Sequence, residues 1–309
     1  MADSILDTIA PEATLIAEPE EDLSVKDARP RPSLTIAGPG RVGQAMGKLL
    51  REAGYSIRYV AARRVRAARR AVDFIGDGTP CRMDAPALAE ADIILLTVTD
   101  AAIAPLAAKW AAWKGAWRGK IILHTSGALP AAVLCPLKKH GASIGSLHPF
   151  QTIPSPAAGC GSLRGTFWAI EGDARARRRA LEVAHALDGL TFRVEAARKD
   201  LYHAGAVMSC GAVVALLDQS ARMLRSAGVP AKIIRPMLGE FVSETVRNFV
   251  ALGGRGALTG PAARGDWGTV ERHQRTLRQH APYALPVYRE LVRTMAQLAG
   301  RKLPRGLKL

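Results

Sequence analysis

A chain of 309 residues, 48% of them hydrophobic and with a formal net charge of +16, is long enough for two domains with substantial cores. It has no unbroken apolar run near the roughly 20 residues of a membrane span. The four cysteines, Cys81, Cys135, Cys160 and Cys210, lack metal-like or CxxC spacing, and no basic segment leads into an apolar core at the N-terminus, so free thiols in a cytoplasmic protein are expected.

Residues 1–32 hold eight acids against three bases and close on Arg29-Pro-Arg-Pro32. They read as a disordered acidic leader and leave +21 for the rest of the chain, where 32 arginines dominate the 43 basic residues. Aromatic residues make up 5% and do not alternate with the basic runs, so a surface for nucleic acid is not expected.

Next comes the apolar run Ser33-Leu-Thr-Ile-Ala37, a buried strand by its composition, then Gly38-Pro39-Gly40-Arg41-Val42-Gly43 and the helical stretch Gln44–Arg51. Strand, GxGxxG and helix in that order predict a dinucleotide site. Gly38 makes the tight turn, Gly40 admits a pyrophosphate to the backbone, Gly43 packs helix on strand, and the helix start at Arg41 and Val42 presents free N–H groups. A second strand, Ser56–Ala61, runs into Ala62-Arg63-Arg64 with no acid nearby. An acid at that place would bind the ribose hydroxyl of NAD; Arg63 and Arg64 suit the 2′-phosphate of NADP.

Further strands are predicted at Thr79–Met83, Ala91–Val98, Lys120–His124 and Ala142–Leu147, separated by helices such as Ala101–Trp113. This alternation gives a doubly wound, mostly parallel α/β sheet. A loop rich in proline and glycine follows Pro149. Thr166–Ile170 and Leu190–Val194 then read as strands around an arginine-rich helix. From Ala196 the chain reads as helical: one helix to about Ala227, a second over Ala231–Ala251, a loop at Gly253–Gly256, and two more helices. The expected organisation is a leader (1–32), a Rossmann domain (33–195) and a helical domain (196–309).

Polar groups gather at the predicted carboxyl ends of the strands, where open α/β sheets bind ligands. They are Thr97 through Asp100, His124 through Gly127 with Ser126, and His148 through Gln151. Thr97 is expected beside the cofactor, Ser126 as a hydrogen-bond partner of a substrate, and His148 as a proton donor or carbonyl-orienting group. Lys199 and His203 stand four apart and share a helix face, a second candidate acid–base pair. Arg264 is placed on a glycine-flanked loop where it could hold a carboxylate or phosphate. Asp266 is read as the N-cap of the helix carrying Val270, His273 and Leu277, with His273 on that helix's apolar face.

These stretches resemble a family. Gly38–Gly43, Ala91–Asp100, Leu123–Leu129, Ser146–Gln151, Lys199–Ala204 and Ala257–Asp266 are similar to the Rossmann-like bacterial proteins whose C-terminal half is the domain of unknown function 2520. That group is related to deazaflavin-dependent NADP oxidoreductases, ketopantoate reductases and pyrroline-5-carboxylate reductases. The resemblance implies a Rossmann domain joined to an all-α domain like the C-terminal part of 6-phosphogluconate dehydrogenase, which usually dimerises and closes the cofactor cleft. Where relatives tend to carry asparagine in the long helix, this chain has Gly211.

The expected function is an NADP-dependent oxidoreductase moving hydride to or from a small, anionic carbonyl or imine compound, in a homodimer built through the helical domain. The alternative is an NADP-binding sensor or scaffold without turnover.

Overall fold

The computed structural model describes residues 30–113 and 115–307; most of the predicted acidic leader lies outside them. The described residues form two compact units that divide between Cys210 and Gly211.

In the first unit the strands are short and apolar because both faces are covered. β1 (Leu34–Ala37), β4 (Ile93–Leu96) and β5 (Ile121–His124) are buried at every residue. Side chains alternate across a strand, and the sequence uses that alternation. Ile36, Ile93, Leu95, Ile121 and Leu123 join a core with Met46, Leu50, Ile75 and Trp168. Ala37, Ile94, Leu96 and Ile122 join a separate one with Ile103, Trp110, Trp117 and Leu134. The helices are α1 (Arg41–Glu52), α2 (Val65–Ile75), α3 (Asp100–Ala111), the single turn α4 (Cys135–Lys138), α5 (Pro156–Ser162) and α6 (Ala174–His185).

With β2 (Ile57–Ala62), β3 (Thr79–Arg82), β6 (Ser143–Pro149), β7 (Phe167–Gly172) and β8 (Leu190–Arg193), the eight-stranded sheet runs β3-β2-β1-β4-β5-β6-β7-β8. Pairing is parallel throughout, except that β7 lies antiparallel to β6. The reversal is sealed by a glycine pair: Gly145 faces Gly172, whose φ is 134°, and a Cβ on Gly172 would come within 2.5 Å of the Gly145 Cα. The order reverses direction at β1 and β4, which puts the carboxyl ends of β1, β4, β5 and β6 along one edge, the usual ligand edge of such sheets.

The long helix expected from Ala196 to Ala227 is two helices. After a 3₁₀ turn (Ala196–Arg198), α7 (Lys199–Ser209) ends at Cys210, whose φ of −125° and ψ of −72° interrupt the helix, and α8 (Gly211–Ser226) follows. Run together, residues 196–226 have the length and apolar composition of a membrane span. Divided at Cys210, neither helix reaches the roughly 30 Å of a hydrocarbon core at about 1.5 Å per residue. The contacts group α7 with the sheet, so the compact unit extends past the expected limit at residue 195.

In the second unit, α9 (Ala231–Ala257) carries helix through the stretch expected as a loop, with a kink at Gly253 (φ 68°, ψ 173°). α10 (Pro261–Arg264), α11 (Trp267–His280) and α12 (Leu285–Leu298) complete it around a small core of Ala262, Val270 and Val292.

Candidate functional site

At the end of β1 the chain turns on Gly38, whose φ of 97° is open to glycine at little cost. The turn is held by backbone bonds from Gly38 N to Ala61 O (2.9 Å) and from Gly40 N to Gly38 O (2.7 Å). Thr97, at the end of β4, donates its hydroxyl to Gly38 O at 2.7 Å. Each glycine has a separate reason. A Cβ on Gly38 would collide with Val98, and one on Gly43 with Thr97 Oγ1, so both are demanded by packing. A Cβ on Gly40 would meet nothing closer than Gly38 O at 4.0 Å.

Gly40 therefore faces open space, directly in front of α1. That helix begins at Arg41 with no side-chain cap and no acid in its first turn, leaving its leading N–H groups and positive dipole end unanswered. A pyrophosphate fits this cradle in charge and in hydrogen-bonding. Val42 packs on the core, and Arg41 reaches the Ile153 carbonyl at 3.5 Å. Thr97 lies behind the turn and supports it.

Arg63 and Arg64 follow β2 on the same edge. Both are exposed, and among the described residues neither side chain forms an ion pair or hydrogen bond. Arg64 takes the N-cap position of α2 without a capping bond from its side chain. Unpaired among the described residues, the two guanidinium groups could meet a phosphate.

A second cluster occupies the ends of β5 and β6, where α7 packs against them. Lys199, the first residue of α7, is 2% exposed; its Nζ donates to Ser146 Oγ at 2.8 Å and to Ser126 O at 3.1 Å. Burial lowers its pKa to about 8, against the opposing pull of Glu171 and Asp100. His148 is partly buried, and its Nδ1 lies 2.7 Å from Tyr202 Oη. Burial, then the charge of Lys199, then His203, lower its pKa to about 4, so the ring is neutral near pH 7. Burial raises the Tyr202 phenol to about 12, and its ring is flanked by Phe150 and Phe192.

His203 lies edge-on to His148, with ring centres 6.1 Å apart. Gly127 makes that approach possible: a Cβ there would stand 2.8 Å from both His148 Nε2 and His203 Cδ2. Ser126 is buried, and its hydroxyl accepts from Ala128 N (3.2 Å) and Leu129 N (3.0 Å), so it shapes the turn beneath the histidines. His124 is wholly buried and accepts from Ser126 N at 3.2 Å through Nδ1. Its Nε2 makes no hydrogen bond of normal geometry, and the looser influence of the Pro130 carbonyl only partly offsets burial and the Lys199 charge, which hold its pKa down at about 3.

The structure thus brings together Ser126, His148, Lys199 and His203, all expected from the sequence, with His124 and Gly127, expected at the same edge without a role of their own, and adds Tyr202 and Ser146. The i, i+4 spacing that singled out Lys199 and His203 places Tyr202 between them, an indication available in the sequence. Arg264, Asp266 and His273 belong to the helical unit. Arg264 ends α10 and is exposed, between Gly260 (φ 99°) and Gly265 (φ 78°). Asp266 caps α11, accepting from Thr269 N at 3.1 Å. His273 is not on the buried face: it is exposed and pairs with Tyr288 Oη at 2.8 Å, while Gln274 beside it is buried. The packed face runs through Val270, Gln274 and the half-buried Leu277, so of the expected face only His273 turns outward.

Residues 16–149 match the Rossmann-like domain, and residues 166–295 match the domain of unknown function DUF2520. No curated protein matches the chain. Among solved structures, a Bacteroides fragilis protein proposed to be an NADP oxidoreductase is 22% identical with a TM-score of 0.67, over 86% of this chain and 98% of that one. Protein TM1727 of Thermotoga maritima is 23% identical with a TM-score of 0.66, over 86% and 98%. An imine reductase of Myxococcus stipitatus in complex with NADP+ is 16% identical with a TM-score of 0.59, over 85% and 95%. At these identities the likeness is one of fold.

Proposed function

For a chain that joins a Rossmann-like domain to DUF2520, we propose an NADP-dependent oxidoreductase acting on a small, anionic carbonyl or imine compound. The observation that carries this reading is the glycine cradle at Gly40, where even a Cβ would meet nothing closer than 4.0 Å, ahead of a helix without a side-chain cap that offers N–H groups and dipole to a pyrophosphate. The fold's likeness to an imine reductase in complex with NADP+ supports a nicotinamide dinucleotide. Preference for NADP rests on Arg63 and Arg64, exposed and unpaired among the described residues at the end of β2. Bound along this edge, the cofactor would supply or accept hydride. The chain's own part is to orient the substrate and manage a proton, and His148, Tyr202, Lys199 and His203 are the groups gathered for it.

The cofactor reading is tested by calorimetric titration of the full-length protein with NADPH and with NADH. Binding of NADPH about 10- to 100-fold tighter than NADH is expected from charge-assisted bonds worth about 1.5–3 kcal/mol each. Binding of neither would remove the assignment.

The protein is further proposed to work as a homodimer through its helical unit. α8 buries no residue and the 27-residue α9 only Ile234, while Phe241, Phe249, Leu252 and Val214 are all at least 60% exposed. So much open apolar surface is the mark of an interface. Light scattering should give twice the 32.9 kDa chain mass, and a monomer at micromolar concentration would refute it.

A further inference from the structure

We infer that the substrate is a carbonyl compound whose oxygen becomes negative during the reaction, not a protonated imine, and that His148, backed by Tyr202, supplies that oxygen's proton. The inference rests on the dinucleotide-dependent reading above and narrows it.

The two substrate classes need opposite fields. A C=N bond accepts hydride most readily as a protonated iminium, a cation that a neighbouring carboxylate would stabilise. A C=O bond builds negative charge on oxygen as hydride arrives, and a cation or a polarised N–H or O–H donor stabilises it. At the ends of β5 and β6 the one fixed charge in the cluster is the Lys199 ammonium, held by two neutral acceptors, Ser146 Oγ and Ser126 O.

Every other group facing the cluster is consistent with a positive site. From β5 comes His124, from β6 His148, from α7 Tyr202 and His203. Among the described residues, none of them pairs with a carboxylate. The two acids that act on Lys199 from a distance, Glu171 on β7 and Asp100 at the start of α3, lie beyond ion-pair reach of it. Glu171 is occupied by the Ala131 N–H at 2.6 Å. An iminium brought here would meet a buried ammonium with no countercharge beside it, whereas a nascent alkoxide would meet the field it needs.

The proton path follows from the 2.7 Å contact of His148 Nδ1 with Tyr202 Oη. With the phenol donating into Nδ1, the ring hydrogen sits on Nε2, which has no hydrogen-bond partner among the described residues. The carbonyl carbon accepts hydride from the reduced dinucleotide, which leaves oxidised, and the C=O π pair moves to oxygen. Oxygen takes the Nε2 proton, Nδ1 takes the phenol proton, and water restores the phenol. The sum is carbonyl, hydride and one proton giving an alcohol. Lys199 touches none of the reacting atoms; it is a positioning residue that fixes the β5 and β6 ends through Ser146 and Ser126, and its charge supplies the field that favours negative charge on the oxygen.

The experiment uses the full-length protein with NADPH, whose binding is first measured by calorimetry. Failure there overturns the cofactor reading itself, separately from this inference. NADPH consumption is then followed with pyruvate, 2-oxoisovalerate, phenylpyruvate and benzaldehyde, and with the cyclic imines pyrroline and piperideine. Consumption with carbonyls and none with imines is expected. Faster consumption with an imine, or tight NADPH binding with no consumption of any carbonyl, overturns the inference. Tyr202→Phe should keep NADPH affinity and lower kcat about 10-fold or more with KM little changed. In Lys199→Met, nitrogen NMR of the His148 ring should show it titrating at higher pH than in the wild type. If that variant does not fold, wild-type carbonyl reduction should itself decline as the pH passes about 8, where Lys199 loses its charge. An unmoved His148 titration, or a rate indifferent to pH through that range, contradicts the role given to Lys199.

Discussion

The three glycines of the turn after β1 look alike in the sequence and differ in what surrounds them. A Cβ on Gly43 would strike Thr97 Oγ1, the group that holds the turn, and Gly38 has a φ of 97° besides a collision with Val98. Gly40 has ordinary backbone angles (φ −74°) and open space. Gly40→Asp should therefore leave the melting temperature within a degree or two while abolishing NADPH binding, because the carboxylate fills and repels the phosphate cradle. Gly43→Val should instead cost about 1–3 kcal/mol through overpacking, visible in thermal unfolding without any ligand. Arg63→Ala with Arg64→Ala makes the complementary case: both are surface residues without partners among those described, so stability should change by less than about 0.5 kcal/mol. NADPH affinity should fall about 10- to 100-fold and NADH affinity hardly at all. Equal losses for the two dinucleotides would remove the 2′-phosphate from their role.

Among elements, what the sequence made legible was whatever one periodicity controls. β1, β4 and β5 are runs of apolar residues buried on both faces, and only a sheet covered on two sides produces such runs. The end of α7 left no such trace: Val207 through Val214 is apolar or small on both sides of Cys210, so helical spacing continues across a backbone break that only geometry reveals. The site was legible in the same uneven way. Lys199 and His203 show themselves by spacing, but that Lys199 is sealed against Ser146, 53 residues away, depends on the packing of α7 over β6. Gly127, to which the sequence assigned no role of its own, is where two histidine rings need room. Asp266 was legible because capping is local: its carboxylate accepts from Thr269 N three residues on. Asp266→Ala should accordingly destabilise the helical unit by about 1 kcal/mol, read from its unfolding transition, with NADPH affinity unchanged. A loss of cofactor binding in that variant would mean the carboxylate does more than cap.

For the molecule as a whole, the buried histidines set the response to acid. His124 and His148 have their pKa values held down to about 3 and about 4 from an ordinary 6.5, by burial first and by the Lys199 charge second. The unfolded chain takes up both protons as the pH falls through 6.5 and the fold does not, so stability is full above that pH and is lost on the way down towards 4. The slope approaches about 1.4 kcal/mol per pH unit for each histidine, about 2.7 for the pair. Lys199 acts in the alkaline range with a different consequence: its pKa of about 8 in the fold lies below its ordinary 10.5, so the cost of burying its charge is relieved as the pH rises through that interval. Stability should therefore be steep on the acid side and flat or rising above neutrality, although the chain carries a net charge of +16 and self-repulsion alone would predict improvement only as the charge is neutralised. Four of the five tryptophans, Trp110, Trp113, Trp117 and Trp168, lie in the sheet unit, so urea unfolding followed by tryptophan fluorescence reports mainly on the unit that holds the histidines. Between pH 6.5 and pH 4.5 the midpoint should drop sharply in the wild type, and His148→Gln, which removes one of the two protons, should lower that slope by about half. A slope unchanged by the substitution would mean that His148 protonates as readily in the fold as in the unfolded chain, and that Lys199 does not hold it neutral.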